Sequence, residues 1–532
     1  MSELNNEQLQ AVNSKSDRIL CLAGAGAGKT KTMIDRIMHL VDEGTPPSSI
    51  MALTFTNAAA AEMKERYSHL NIGKEIPEFR TFHSFCYSIV CRDINIREAL
   101  GYSEVPVIAS EEQEKEIELK AKVQCNITLS KEQLKERNHL SKKEQFQVDL
   151  YDKAVSRLMR SANLITFDKL NSEVSVLFAS DHPSTKPYKQ QYKYIFSDEF
   201  QDTDEFQIKF LNSFTDTNFY FCGDCLQNIY SFRGTSNEYI KALANTEGWE
   251  KIRLYTNYRS TSQICEYANK FSATYADPSY RIEMKGIREG NKVSVKLVDG
   301  PHKYSAIDTK DIDNVLKEIS TLEGTSAILC RTNKEVAAVG AHLKSNGVKY
   351  VSNRDNYIQQ ILDCATSDTY MLGLFASYLS SDKYGEYIRL STLAQNIDLA
   401  WFITNYGKVP QIQDLYRQVV ALKNISIQYG TISDKLAEVA TLLHLESIPV
   451  PDTDYFGNDF LNYLKDTITK IKSSELYVGT IHSVKGLEYD NVFVMNVGSY
   501  SFKLNTEDMR NLFYVAITRA KNNLFVYQLF DS

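Results

Sequence analysis

The sequence has no uninterrupted apolar run long enough to cross a bilayer and no basic-then-apolar segment at its start. Neither a membrane-spanning helix nor a secretory leader is therefore expected, and the expected location is cytoplasmic and nucleoid-associated. Its nine cysteines follow no repeating spacing. A disulfide framework or a zinc site needs such spacing, so the thiols read as small core residues in a reducing compartment. Cys222 and Cys225 form a lone CxxC with no second pair at a suitable distance, and they too read as packing. Positive charge is not in excess: 60 Lys and Arg stand against 67 Asp and Glu, a formal net charge of −7. That disfavours a protein that coats nucleic acid by charge alone, but not one that holds a strand in a local groove with stacking aromatics. No short-period repeat or low-complexity tract occurs, which leaves an ordinary globular protein. At 532 residues the chain is too long for one core, and three or four domains are expected.

Short apolar runs follow one another in a regular way. DRILCLA at 17–23 leads into a Gly-rich turn, IMALTF at 50–55 precedes a stretch of helix formers, YKYIFSDEF at 192–200 ends in paired acids, and NFYFCGD at 218–224 ends at Asp224. Strands that alternate with helices and carry polar residues at their carboxyl ends predict a parallel α/β sheet, with ligands outside those ends. Runs at 326–330, 476–481, 491–497 and 523–527 predict a second sheet of the same kind. The fold class expected is α/β, with two P-loop-type domains and two mainly helical insertions. The first domain is expected over 1–86 and 190–255, and the second over 256–353 and 475–532. The insertions fall at 87–189 and, in shortened form, at 354–474.

Residues 23–30 read AGAGAGKT: Ala23, Gly24, Ala25, Gly26, Ala27, Gly28, Lys29 and Thr30. This is the phosphate-loop pattern with Ala23 in place of the first glycine. Small residues let backbone N–H groups close on phosphates, Lys29 reaches the β/γ oxygens and Thr30 ligates Mg²⁺. The following helix adds the positive end of its dipole. Such a loop needs an acid on a neighbouring strand. Asp198 fits as the second Mg²⁺ ligand and Glu199 as the residue that orients or deprotonates the attacking water.

The ordered motifs LNNEQLQAV (4–12), the phosphate loop, LTFTNAAAAEM (53–63), TFHSF (81–85), DEFQDT (198–203), GDCLQNIYSFRG (223–234), NYRST (257–261), GTIHSVKGLEYD (479–490) and YVAITRAKNNL (514–524) resemble the UvrD/Rep/PcrA branch of superfamily 1 DNA helicases. The resemblance runs over nearly the whole chain. It implies a RecA-like tandem core that uses ATP and Mg²⁺ to move 3′→5′ on single-stranded DNA and to open 3′-tailed duplex. By position, it implies that Gln8 reads the adenine edge, Tyr258 stacks on the adenine and Lys31 lies beside it. Gln227 senses the γ-phosphate, Arg259 and Arg519 act as arginine fingers from the second domain, and Glu488 lies on the ribose side. The strand track is implied at Thr54, Phe55, Thr56, Asn57, His83, Tyr230, Phe232, Arg233 and His482. Two positions depart from the pattern: relatives commonly have Trp at Phe232 and Arg at Lys31, so one stacking face is smaller and one planar cation is lost. The chain ends 13 residues beyond Arg519, so no fused nuclease is expected. The alternative reading is a DNA-stimulated ATPase that acts as a sensor or regulatory subunit beside a separate nuclease or repair partner, with little unwinding alone.

Overall fold

A computed structural model describes residues 4–71, 75–109, 111–130, 134, 140–231, 234–298, 307–352 and 476–529. Its strands, numbered along the chain, are β1 (Arg18–Ala23), β2 (Ile50–Thr54), β3 (Glu78–Thr81), β4 (Val107–Ile108), β5 (Leu164–Ile165), β6 (Tyr194–Ser197), β7 (Asn218–Gly223), β8 (Glu250–Leu254), β9 (Thr256–Asn257), β10 (Lys285–Gly286), β11 (Ser294–Val298), β12 (Ser326–Cys330), β13 (Leu476–Thr480), β14 (Tyr489–Val497) and β15 (Ala520–Leu529). Six form one sheet in the order β3-β2-β6-β7-β1-β8, and five form a second in the order β11-β15-β14-β12-β13. All pairings in both are parallel.

Both faces of each sheet are covered, which explains why the inner strands read as unbroken apolar runs rather than alternating ones. In β1, Leu20 and Leu22 enter one core while Ile19, Cys21 and Ala23 enter another with Met33, Ile34 and Ile37 of the helix Lys29–Asp42. In β12, Ala327 and Leu329 share the larger core, and Ile328 and Cys330 pack on the opposite face with Val339 and Leu343. That larger core holds side chains of both sheets in one cluster with the helices between them, so the two sheets are joined by apolar packing as well as polar bonds.

Between β3 and β6 lies a mainly helical region, with helices Ile94–Ala99, Glu111–Gln124, Lys142–Ser161 and Phe167–Ala179 and the small parallel pair β4–β5. The helix Lys142–Ser161 begins in a capping box: Ser141 accepts from the Glu144 N–H and the Glu144 carboxylate accepts from the Ser141 N–H. Reciprocal satisfaction of two end donors sets that start. The expected insertion at 354–474 lies outside the described residues, as do Phe232 and Arg233. No helix among the described residues is long and apolar enough to cross a membrane. Cys222 and Cys225 are both fully buried.

Candidate nucleotide cleft and strand track

The six-stranded sheet delivers its polar residues at one edge. β1 ends at Ala23 before the Gly-rich loop, β2 at Thr54 before Phe55, and β3 at Thr81 before Phe82 and His83. β6 ends at Ser197 before Asp198, and β7 at Gly223 before Asp224. Because every pairing is parallel, these carboxyl ends line a common rim, the expected ligand side of such a sheet.

In the loop, Gly26 and Gly28 have φ of 66° and 79°, a left-handed conformation that side chains resist. Gly28 caps the helix Lys29–Asp42, so the helix N-terminus opens at the loop. Thr30 Oγ1 donates to Asp198 Oδ2 at 2.9 Å. A hydroxyl and a carboxylate brought this close, both hard oxygen donors, fit a small divalent cation such as Mg²⁺. Burial and the neighbouring Glu199 push the Asp198 carboxyl up to about 6, against the pull of Lys29. For Glu199 burial acts upward too, but Lys29, Lys485, a hydrogen bond from Gln201 and Arg519 outweigh it and hold the carboxyl below its usual range. The Glu199 backbone is left-handed, with φ of 52°, which costs roughly 1–3 kcal/mol for a residue with a side chain.

A polar chain crosses from the second sheet to the first. Arg519 stands between the helix Glu507–Ile517 and β15 and is 2% exposed. It donates through Nη2 to Gln227 Oε1 at 3.0 Å, and Gln227 Nε2 donates to Asp224 Oδ2 at 2.8 Å. Burial and the charge of Arg259 push the Arg519 guanidinium down to about 9, which still leaves it charged at neutral pH. Arg259 donates through Nε to Glu488 Oε2 at 2.7 Å, and Lys521 Nζ lies 3.0 Å from Glu488 Oε1. Burial raises the Glu488 carboxyl, but these two cations hold it below its usual range overall.

The NYRST segment joins both sheets. Tyr258 N–H donates to the Gly26 carbonyl at 3.0 Å, while Ser260 Oγ donates to the Ala520 carbonyl at 2.6 Å and Thr261 N–H to the Lys521 carbonyl at 3.1 Å. Arg259 is thus tied to the phosphate loop as closely as to the second sheet, a link that its placement with the second domain alone omits. Gln8 is buried and its amide is bonded at both ends. Nε2 donates to the Ala27 carbonyl at 3.2 Å and Oε1 accepts from the Asn5 N–H at 3.2 Å, within a capping box on the helix Asn6–Asn13. Tyr258 is exposed, with its hydroxyl accepting from Asn5 Nδ2 at 2.8 Å. Lys31 Nζ pairs with Asp35 at 2.8 Å one turn along its own helix.

Of the residues assigned to the strand track, Phe55 and Tyr230 lie face to face, with centroids 5.2 Å apart and planes 10° apart. His482 sits 6.5 Å from the Tyr230 ring. Thr56 is the N-cap of the helix Asn57–Leu70, with Oγ1 accepting from the Ala59 N–H; the side chain of Asn57 lies outside the described residues. Thr54, His83 and Phe55 line a cavity of about 700 Å³ that also reaches Asp198 and Glu199. Thr54 Oγ1 is buried without a hydrogen-bond partner. His83 packs edge-on against Phe167 at 5.8 Å, and desolvation pushes its imidazole down to about 4, so it is neutral at physiological pH.

Sequence reading assigned nothing to Lys485, which the fold places at the centre. Its ammonium pairs with the buried Asp202, donates to the Gln227 carbonyl at 2.9 Å and lies 4.8 Å from the Tyr230 ring centroid. Burial pushes the Asp202 carboxyl up to about 6 although Lys485 pulls it down. One side chain from the second sheet therefore touches both the acid-bearing loop and the aromatic pair. Its signal was its place inside GTIHSVKGLEYD.

The chain matches the UvrD/REP helicase N-terminal domain over residues 4–247 and the UvrD-like helicase C-terminal domain over 252–360 and 375–529. It is 24% identical to a probable DNA helicase II homolog of Mycoplasma pneumoniae, covering 100% of this chain and 84% of that protein. It is 26% identical to the ATP-dependent DNA helicase PcrA of Staphylococcus epidermidis, over 99% of this chain and 83% of that protein. Identity to the ATP-dependent DNA helicase PcrA of Bacillus subtilis is also 26%, over 99% of this chain and 82% of the relative. With family matches on both halves, a phosphate loop facing Asp198 and a second parallel sheet that sends Arg519 to Gln227, the chain belongs to the UvrD/Rep/PcrA-like helicase family.

Proposed function

We propose that this chain is an ATP-dependent DNA helicase that moves 3′→5′ along single-stranded DNA. ATP is hydrolysed between an N-terminal unit (1–86 and 190–255) and a C-terminal unit (256–353 and 475–532). The observation that carries this reading is the Arg519–Gln227–Asp224 chain, which joins one sheet to the nucleotide rim of the other. A charge that must reach the γ-phosphate from the opposite unit makes turnover depend on how the cleft is closed, and strand binding across both units can set that closure.

In this reading the loop N–H groups and Lys29 hold the phosphates, and Thr30 and Asp198 hold Mg²⁺, which supplies charge neutralisation of the phosphate oxygens. Glu199 orients the attacking water and takes its proton as the water oxygen bonds to the γ-phosphorus and the bond to the β-phosphate oxygen breaks. Arg259 and Arg519 compensate the charge that builds on the transferring group. Tyr258 offers its exposed ring to the adenine, near Gln8 and Lys31. Glu488 holds Arg259 in place on the ribose side. Strand contact is assigned to Thr54, Phe55, Thr56, Asn57, His83, Tyr230, Phe232, Arg233 and His482, and the protein is read as cytoplasmic.

The face-to-face pair Phe55–Tyr230 supplies ring faces that stack with bases of any sequence. At about 1–3 kcal/mol per stacked base, Phe55→Ala is expected to weaken single-stranded DNA binding roughly 5- to 150-fold, measured by fluorescence anisotropy at fixed salt. The polarity is tested by strand displacement on duplexes with a 3′ or a 5′ tail. Displacement of the 3′-tailed duplex alone is expected; preference for the 5′ tail would reverse the assignment. ATP turnover with no displacement of either would favour the sensor-subunit reading.

A further inference from the structure

We infer that Asn257 is a positioning residue that holds the phosphate loop in its anion-binding shape and transmits to it the position of the Arg259 segment. The inference rests on the reading of Gly24–Thr30 as an ATP site.

Asn257 is fully buried, and its amide is used at both ends. Nδ2 donates to the Ala25 carbonyl at 2.7 Å, while Oδ1 accepts from the Arg259 N–H at 2.8 Å and the Ser260 N–H at 2.7 Å. A trans peptide is planar, with its carbonyl and N–H on opposite sides. Holding the Ala25 carbonyl toward Asn257 therefore turns the Gly26 N–H to the other side, away from Asn257. Gln8 does the same one step further on, since Nε2 holds the Ala27 carbonyl at 3.2 Å and so turns the Gly28 N–H away from Gln8. Between them, the Tyr258 N–H takes the Gly26 carbonyl at 3.0 Å, and the Ala27 N–H closes back on the Gly24 carbonyl at 3.3 Å. The Gly26 and Gly28 N–H groups are thereby left as donors for an anion, as in a backbone nest, and their direction is set from outside the loop.

Contact between the loop and this segment is close. A Cβ on Gly26 would lie 2.6 Å from Arg259 Cβ and 3.0 Å from Asn257 Oδ1. The same amide that orients the Gly26 N–H thus also fixes the backbone of the residue proposed as an arginine finger. A shift of NYRST that follows the second sheet, through Ser260 and Thr261, pulls directly on the phosphate cradle. This gives the cleft a mechanical link on the loop side, in addition to the Arg519–Gln227 bond on the far side.

The test uses the full chain with Asn257→Ala and Asn257→Asp. Binding of ADP, the KM for ATP, kcat with saturating single-stranded DNA, nucleotide-free DNA affinity and the thermal midpoint are measured for each. Losing a hydrogen bond that orients a buried peptide is expected to raise the ADP Kd and the ATP KM about tenfold in Asn257→Ala, with nucleotide-free DNA affinity within about threefold of the parent and kcat lowered as well, because the Arg259 and Ser260 N–H groups lose their acceptor. A purely structural role would instead lower the thermal midpoint and leave the KM unchanged in the folded fraction, and that result overturns the inference. Should the alanine variant fail to fold, Asn257→Asp decides. It keeps the acceptor for the Arg259 and Ser260 amides but cannot donate to Ala25, and its charge adds to the loss, so parental ADP affinity in this variant overturns the inference. A loss in the aspartate variant without one in a folded alanine variant also overturns it, because charge alone would then explain the effect. Failure of the parent itself to bind ADP or turn over ATP would instead refute the ATP-site reading.

Discussion

Arg519→Ala is expected to lower DNA-stimulated ATP turnover by about 10³–10⁵-fold, the scale on which an arginine that reaches a transferring phosphoryl group contributes. Three observations place the effect in this range. The guanidinium is 2% exposed, so its charge acts through little solvent. It is already aimed by its bonds to the Val515 carbonyl at 3.1 Å and to Gln227 at 3.0 Å. It also comes from the opposite sheet to Lys29, so its removal disconnects cleft closure from chemistry. Arg519→Lys should recover only a small part, because an ammonium cannot make the Val515 and Gln227 bonds with one planar fork. Nucleotide binding without turnover should remain, and that is the control for folding: ADP affinity within a few-fold of the parent, measured by titration, separates a lost finger from a collapsed cleft. A variant that retains turnover within tenfold would remove Arg519 from the reaction.

Glu199→Gln is expected to reduce turnover by about 10²–10⁴-fold, the usual range for a group that moves a proton in the transition state. The substitution keeps the volume and a hydrogen-bonding partner for Gln201, so the left-handed turn at residue 199 has no new shape to accommodate. ATP should bind as well as in the parent or more tightly, since one of two adjacent carboxylates loses its charge beside the phosphates. Single-turnover hydrolysis measured with prebound nucleotide checks this directly. A slow chemical step with intact binding is the expected pair of results. Turnover near that of the parent would pass the proton-accepting role to another carboxylate, and Asp202, paired with Lys485, is the neighbour to test next.

Most of the strands that were legible in the sequence are inner ones; the exception is β13, an edge strand whose free side is bridged by Val351. β1, β2, β6, β7, β12 and β14 are covered on both faces, so their apolar runs are continuous and end at recognisable polar motifs. The strands that escaped sequence reading are edges. β3 carries Glu78 and Arg80, which pair with each other, and β8 reads EKIRL with three charged residues, Glu250, Lys251 and Arg253. β11 leaves Val295 and Leu297 exposed. These three edge strands have a neighbour on one side only and less to bury, so their composition does not mark them out.

At the candidate site, the meeting of Thr30 with Asp198 followed from motif types, because a phosphate loop and an acid at carboxyl ends of one parallel sheet share a rim, although β7 stands between β1 and β6 where a neighbouring strand was expected. The roles of Lys485 and Asn257 were hidden for a different reason. Each is an ordinary polar residue within a quoted motif, and its partners lie far away in sequence: Asp202 is 283 residues from Lys485 and Ala25 is 232 residues from Asn257. No local pattern encodes such distances. Gln8 is the instructive intermediate. Asn5 and Gln8 have the spacing of a capping box, and that local rule anticipates the bond which ties up the amide oxygen, whereas attention to adenine alone does not.

The central claim is that hydrolysis in this cleft is governed by a strand bound across both sheets. The most direct measurement is steady-state ATP turnover of the parent chain with and without single-stranded DNA, with Lys29→Ala as the blank. Turnover that rises steeply with added strand and vanishes in Lys29→Ala is the predicted result. Turnover indifferent to DNA would contradict the account, because the Phe55–Tyr230 pair and Lys485 would then have no strand to report to the cleft.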